Sequence, residues 1–274
     1  MDVTTFHLDG TTAVPRLGFG TFQLDGDAAY RSTLVALETG YRHIDTAQGY
    51  ANEAEVGRAI ADSGIDRDEV FVTTKLKPSN AAASAVRSST GQSLEELGMD
   101  HVDLLLLHWP AEHVAPLPET LEAMTRLTED GLARHIGVSN FPSRMLTRAF
   151  EYAPVVTDQV EHHPFLGVEP IEEVLRPRGG FLTAYSPLAR GQVAEDPVLS
   201  AIAEEHGVTP AQVTLRWMLQ RPGVVTIPKS GTPARIRSNF DVHGFELSAD
   251  QMARIDGLER GHRLIDPDGG PDWD

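Results

Sequence analysis

The sequence predicts a single α/β domain over residues 1–274: a (β/α)8 TIM barrel with an N-terminal β-hairpin and two helices beyond the eight. Three observations carry that expectation. Eight short runs rich in apolar and β-branched residues each precede a stretch of helical apolar spacing. The connections between them are short. Runs such as Leu104–Leu107 lack in/out alternation, as parallel strands covered on both faces do. An open, doubly wound sheet is the alternative, weakened because no Gly-x-Gly-x-x-Gly follows any strand signal.

In chain order, Thr5–Leu8, the turn Asp9-Gly10 and Ala13-Val14 read as a hairpin, since Asp-Gly between short apolar runs favours a tight turn. The first barrel strand is expected at Leu17–Thr21, with a helix over Ala28–Leu37. His43–Thr46 precedes a helix near Glu53–Ser63, and Val70–Leu76 one near Ala81–Leu97. Val102–His108 leads to Glu119–Glu129, and His135–Ser139 to a helix starting near Pro142. Val155–Glu161 leads to Pro170–Leu175, and Phe181–Ser186 to helices across Val198–Gln220. Val224–Pro228 precedes Ala234–Phe240. From Gly257 on, Asp, Gly and Pro dominate, which reads as a loop or frayed end.

Composition narrows the function classes. A net charge of −17 disfavours nucleic acid and anionic membrane as partners, so any anionic ligand needs a local cluster of cations. With no cysteine there are no disulfides, thiol nucleophiles or thiolate metal sites. The eleven histidines include the pair His162-His163 but no ligand-spaced cluster, so no metal is expected. Neither a signal peptide nor an apolar run of spanning length is visible, and a soluble, cytoplasmic, monomeric protein is expected.

Polar residues end nearly every strand signal, where a barrel gathers them into one mouth: Asp45 and Tyr50, Lys75, His108 with Trp109, Ser139-Asn140, Gln159, Tyr185-Ser186 and Lys229-Ser230. Packing alone does not explain this. A lysine cation stabilises a neighbouring phenolate, and a carboxylate keeps a buried lysine charged. Asp45, Tyr50, Lys75 and His108 therefore compose a set suited to carbonyl reduction, in which a hydride reaches carbon while a tuned acid protonates the alkoxide.

Motifs run in order from near residue 16 to about residue 258: Gly40-Tyr41-Arg42-His43-Ile44-Asp45-Thr46-Ala47 with Tyr50-Ala51-Asn52-Glu53, Thr74-Lys75-Leu76, Leu107-His108-Trp109-Pro110, Ile136–Phe141, Gln159-Val160-Glu161, Ala184–Leu188, and Ile227–Ser230 with Thr232–Ile236. Together they resemble the aldo-keto reductases, particularly the short bacterial members grouped with 2,5-diketo-D-gluconate reductases. The resemblance implies reversible NADPH/NADP+-dependent reduction of a small-molecule aldehyde or ketone, keto-sugar acids among them. Tyr50 would be the general acid, Lys75 paired to Asp45 would lower its pKa, and His108 would orient the carbonyl. Ser139, Asn140 and Gln159 would meet the nicotinamide carboxamide, and Tyr185 would stack on its ring, with Ser186 and Leu188 in the same cofactor motif. Lys229 and Arg235 would take the adenosine 2′-phosphate, Ser230 would add a hydroxyl, and Asn239 would face the adenine. Trp109 and Phe22 would wall the substrate pocket.

The chain also departs from that pattern. Lys77-Pro78-Ser79 stands where many relatives carry a pocket tryptophan, and Lys77 is a candidate rim cation for carboxylate-bearing substrates. Ser238 replaces a common glutamate at the adenine end. Two other readings remain open here: a Schiff-base lyase using Lys75, which needs a neutral amine, and an NADP(H)-binding module without turnover.

Overall fold

The structure, a computed structural model, describes residues 4–8 and 10–274; the Asp9 half of the expected hairpin turn lies outside them. β1 (Thr5–Leu8) pairs antiparallel with β2 (Thr12–Pro15), Thr5 opposite Pro15. Eight parallel strands follow: β3 (Phe19–Gly20), β4 (His43–Asp45), β5 (Phe71–Leu76), β6 (Val102–Leu107), β7 (Ala133–Ser139), β8 (Val155–Glu161), β9 (Phe181–Tyr185) and β10 (Val224–Thr226). They pair in sequence order from β3 to β10.

The ring closes where the segment before β3 meets β10. Leu17 bridges Thr226, Gly18 N–H donates to the Thr226 carbonyl at 2.8 Å, and Gly20 N–H donates to the Pro228 carbonyl at 3.1 Å. A Cβ on Gly20 would stand 2.9 Å from the Ile227 carbonyl oxygen, so this seam needs a residue without a side chain. The buried Arg16 ties the seam from below, its Nε donating to the Val224 carbonyl at 2.9 Å. The first strand is therefore shorter than its apolar run suggests.

Side chains of the strands alternate between two layers. Leu105 and Leu107 join the large outer core against the helices, whereas Leu104 and Leu106 pack inward with Phe181, Val225 and the hairpin's Leu8 and Val14. The hairpin thus plugs one end of the barrel and leaves the carboxyl ends of the strands as the open mouth.

Among the described residues ten α-helices cover the outside: α1 (Gly26–Thr39), α2 (Glu53–Asp62), α3 (Ala83–Leu97), α4 (Leu117–Glu129), α5 (Ser143–Tyr152), α6 (Glu169–Leu175), α7 (Pro197–His206), α8 (Pro210–Gln220), α9 (Pro233–Phe240) and α10 (Ala249–Asp256). The two beyond eight come from the α7–α8 pair after β9 and from α10. Reciprocal capping boxes, Thr209 with Gln212 and Ser248 with Gln251, start α8 and α10. None of these helices is long and apolar enough to cross a membrane.

The segment from Gly257 has no regular structure, yet it is not frayed. The Phe165 carbonyl accepts from His262 N–H at 2.9 Å, and the Glu161 carboxylate accepts from Leu264 and Ile265 N–H, both at 2.8 Å. Asp274 takes the Ser143 N–H and hydroxyl at 2.7 Å each, at the start of α5. These bonds bring the segment back to the mouth.

Candidate active site

Asp45 ends β4 and is 2% exposed. The chain then turns through a short 3-10 helix, Gln48–Tyr50, and Ala51 takes a left-handed conformation with φ 53°. Asn52 holds this turn: its Nδ2 donates to the Thr21 and Leu24 carbonyls at 3.0 and 2.8 Å, and its Oδ1 accepts from the Thr46 hydroxyl at 2.7 Å. That bracing presents Tyr50 to the mouth.

Lys75, on β5, is fully buried beneath the tyrosine. Its Nζ donates to Asp45 Oδ1 at 2.5 Å, to the Thr46 carbonyl at 2.8 Å and to Tyr50 Oη at 3.2 Å. All three ammonium protons are thereby used. Burial pulls the lysine pKa down, but Asp45 and Tyr50 outweigh it and hold it above the ordinary value. A lysine so charged argues against the Schiff-base reading, which requires a free amine. The other Asp45 oxygen accepts from Gln159 Nε2 at 2.7 Å.

His108 follows β6 and meets Tyr50 edge-on, with centroids 5.5 Å apart at 76°. Burial, aided by Lys75, pushes its pKa down to about 3, so the imidazole is neutral at pH 7. For Tyr50 the structure corrects the expectation that Lys75 sets a lowered pKa. Burial raises it, Lys75 opposes, and the net shift is upward.

Above this group opens a cavity of about 880 Å³. Lining it are Asp45, Tyr50 and His108, the wall residues Phe22 and Trp109, and Ser139, Asn140, Gln159, Tyr185, Ser186 and Leu188. Lys229, Ser230, Arg235, Ser238 and Asn239 line it beside β10 and α9. Phe22 leans on Tyr50 with ring centroids 5.1 Å apart. Every expected site residue but two is on this surface: Lys75 lies beneath it, and Lys77 sits on an exposed loop outside the lining. Lys77, exposed just after β5, donates its backbone N–H to Gln48 Oε1 at 2.9 Å.

The side chains expected around a carboxamide are partly engaged with one another. Tyr185 Oη donates to Asn140 Oδ1 at 2.7 Å, and Asn140 Nδ2 donates to the His108 carbonyl at 2.9 Å and to Ser139 Oγ at 3.1 Å. Ser139 Oγ donates to the Gln159 carbonyl at 2.7 Å. These bonds lock the ends of β6, β7, β8 and β9 together and leave Gln159 Oε1 without a partner among the described residues.

Three features escaped the sequence reading. Arg190 lines the cavity from the turn Ala189–Glu195, where Ala189, Arg190 and Gly191 all have positive φ; an arginine soon after a strand end was the available signal. Asn52 braces the tyrosine turn. Glu161, also bonded to His163 Nε2 at 2.9 Å, anchors the segment after α10, from which Ile265 joins the lining. Among the described residues no group of three or more His, Cys, Asp or Glu gathers as a metal site.

Comparison with known proteins agrees with this architecture. The model of the Aldo/keto reductase family matches residues 16–260. An aldo-keto reductase of Mycolicibacterium smegmatis is 42% identical over 267 residues, covering 97% of this chain and 95% of the relative. One from Mycolicibacterium vanbaalenii is 44% identical over 265 residues, covering 96% and 94%. A crystal structure of a candidate 2,5-diketo-D-gluconic acid reductase B superposes with TM-score 0.95 at 42% identity, covering 99% of each chain. The chain belongs to the aldo/keto reductase family, oxidoreductases that act on carbonyl groups.

Proposed function

We propose that this chain reduces aldehydes and ketones reversibly to alcohols with NADPH, and that Tyr50 is the proton donor. The observation that carries the reading is the relay Asp45–Lys75–Tyr50, with Nζ 2.5 Å from the carboxylate and 3.2 Å from the phenol oxygen, at the floor of the mouth.

The lining suits a phosphorylated dinucleotide. Lys229 and Arg235 are exposed on it and have no ion-pair partner among the described residues, which in a chain of charge −17 favours an anion at that spot. They and the Ser230 hydroxyl would hold the 2′-phosphate, and Asn239 would face the adenine. Gln159 Oε1 and the Ser139 hydroxyl would receive the carboxamide, the Tyr185 ring would stack on nicotinamide, and Ser186 and Leu188 would flank it. The bound cofactor supplies the hydride.

The protein's own part is proton and charge management. His108, neutral, donates a ring N–H to the substrate oxygen and polarises the carbonyl. Tyr50 passes its proton to the oxygen as negative charge develops there, and Lys75 stabilises the phenolate left behind. Asp45 keeps Lys75 charged throughout. In the reverse direction the phenolate accepts the alcohol proton. Trp109 and Phe22 narrow the entrance and exclude water. The substrate named for the similar structure, 2,5-diketo-D-gluconic acid, is one carbonyl compound such a mouth would accept.

The test is Tyr50→Phe, assayed by NADPH oxidation with a reactive aldehyde and by cofactor binding. We expect kcat to fall by about 10²–10⁴, the usual contribution of a positioned acid, with NADPH affinity unchanged. Turnover equal to the parent's would refute Tyr50 as the acid.

A further inference from the structure

The short turn Gln48–Tyr50 carries the proposed proton donor, yet Gln48 is not among the residues that line the mouth. Its half-buried side chain bonds in the other direction, and every hydrogen-bonding position of the amide is used. Nε2 donates to the Ser89 carbonyl and to Ser93 Oγ, both at 3.1 Å, on α3. Oε1 accepts from the Lys77 N–H at 2.9 Å and from Asn80 Nδ2 at 3.0 Å, in the loop after β5. A backbone carbonyl on one side and a backbone N–H on the other allow the amide one orientation only. Fixing so long a side chain costs conformational entropy, which these bonds offset.

Ser93 extends the connection. Its hydroxyl donates to Glu53 Oε2 at 3.3 Å, and Glu53 Oε1 accepts from the Thr74 hydroxyl at 2.5 Å. Thr74 precedes Lys75 on β5, so the turn that carries the phenol and the strand that carries the ammonium share one chain of hydrogen bonds. At the other end of the turn Asn52 donates to the Thr21 and Leu24 carbonyls, just past the left-handed Ala51. Gln48 and Asn52 therefore hold the turn from two sides, against different elements. The loop Lys77–Asn80 adds nothing to the lining of the mouth. What it supplies is the pair of donors that grip Gln48.

We propose that Gln48 is a positioning residue for the proton transfer, its four hydrogen bonds fixing the turn so that Tyr50 Oη stays within reach of Lys75 and beside His108. This rests on the reading of Tyr50 as the acid and goes beyond it by assigning what holds that acid in place. Lys75 Nζ and Tyr50 Oη are 3.2 Å apart, at the long end of a hydrogen bond, so a small drift of the turn breaks the contact. Because Gln48 stands outside the mouth, its loss acts on kcat and spares binding.

The test is a double-mutant cycle of Gln48→Met and Tyr50→Phe. Methionine keeps the length of the side chain and removes the amide. Turnover is measured with saturating NADPH and p-nitrobenzaldehyde, and kcat is referred to the fraction of protein that binds NADPH. With Tyr50 present, Gln48→Met should lower kcat by about 10- to 100-fold, the cost of misplacing a reacting group by about 1 Å. The KM for the aldehyde and the affinity for NADPH should stay at the parent's values. In the Tyr50→Phe background the same substitution should leave kcat unchanged, since no phenol remains to be positioned. A merely structural role would instead lower kcat by the same factor in both backgrounds. Asn80→Ala removes one of the four bonds and carries the same cycle if Gln48→Met does not fold; its loss of kcat should be about 2- to 10-fold, again only with Tyr50 present. Parental kcat in the substituted protein, or an equal loss in both backgrounds, overturns the positioning role while leaving Tyr50 as the acid. Parental turnover in Tyr50→Phe alone overturns the acid, and the positioning role with it.

Discussion

Replacing Asp45 by Asn removes one charge from the relay and almost no volume. Gln159 can turn its amide so that Oε1 receives the new Nδ2, which leaves the Asn oxygen for Lys75. The substitution therefore isolates charge from shape. At 2.5 Å and an effective dielectric near 20, the lost attraction is about 6–7 kcal/mol. Relaxation reduces this, and broken buried pairs cost about 3–5 kcal/mol. Burial already pulls Lys75 down, so in the variant its pKa should fall below the ordinary lysine value. The sign follows from linkage. In the parent, Lys75 is held charged above its ordinary value, and the stability it contributes is lost only as pH rises through that raised pKa. In Asp45→Asn that loss moves to lower pH, and the melting temperature at pH 7 should fall by about 10 °C. The kinetic assay is kcat at saturating NADPH from pH 5.5 to 9. The variant should lose activity with rising pH through a new inflection, because a neutral amine no longer stabilises the phenolate. A variant with the parent's kcat and no new inflection would refute the reasoning.

Three further tests reach other parts of the molecule. Lys229→Met with Arg235→Met should lower the preference for NADPH over NADH by about 10- to 100-fold, measured as the ratio of kcat/KM, since charge-assisted phosphate bonds are lost. His162 is fully buried with its pKa pushed down to about 3, by burial and then by Arg221, from an ordinary 6.5. The unfolded chain takes up that proton first, so stability is untouched above pH 6.5 and falls below it by about 1.4 kcal/mol per pH unit; denaturant titrations of the parent and His162→Asn should differ by that slope. Gly57 of α2 packs on the carbonyl of Leu97 at the end of α3, with no room for a Cβ. Gly57→Ala should cost about 1–3 kcal/mol in denaturant unfolding and leave KM for the aldehyde unchanged.

Much of the barrel was legible because most strands after the first are apolar runs stopped by a polar residue, and a stretch of helical apolar spacing follows each. Strand bounds such as Val155–Glu161 come directly from that pattern. The first strand does not, since Leu17–Thr21 is two apolar residues interleaved with glycines and its pairing depends on whether the seam at Gly20 can close. α10 was legible in principle: Ser248 and Gln251 spell a capping box. The segment after it is one of the two things its Asp, Gly and Pro allowed, a loop and not a frayed end, and what decides between them is Glu161, about a hundred residues earlier, a pairing that no local pattern encodes. The same limit applies in the site. Sequence supplied Asp45, Tyr50, Lys75 and His108 as residue types, but not that Gln159 spends its amide N–H on Asp45, nor how deeply the phenol is buried.

In the proposed mechanism, that burial is what makes a phenol with a raised pKa a serviceable acid. A donor must keep its proton at neutral pH until the alkoxide forms, and an alkoxide is about as basic as hydroxide, the conjugate base of water with its pKa near 16. A phenol above 10 still gives its proton to such a base downhill. What limits the transfer is the phenolate left in a poorly solvated pocket, and Lys75, 3.2 Å away, supplies the charge that water would have supplied. Without the cation, burial would act alone on Tyr50 and strand the negative charge. Asp45 looks counterproductive, since its own charge disfavours the phenolate. Yet without it burial would strip the proton from Lys75 and remove the larger favourable charge. The carboxylate's direct repulsion of the phenolate is the smaller cost, and this ordering of the two effects fixes why the relay needs three members.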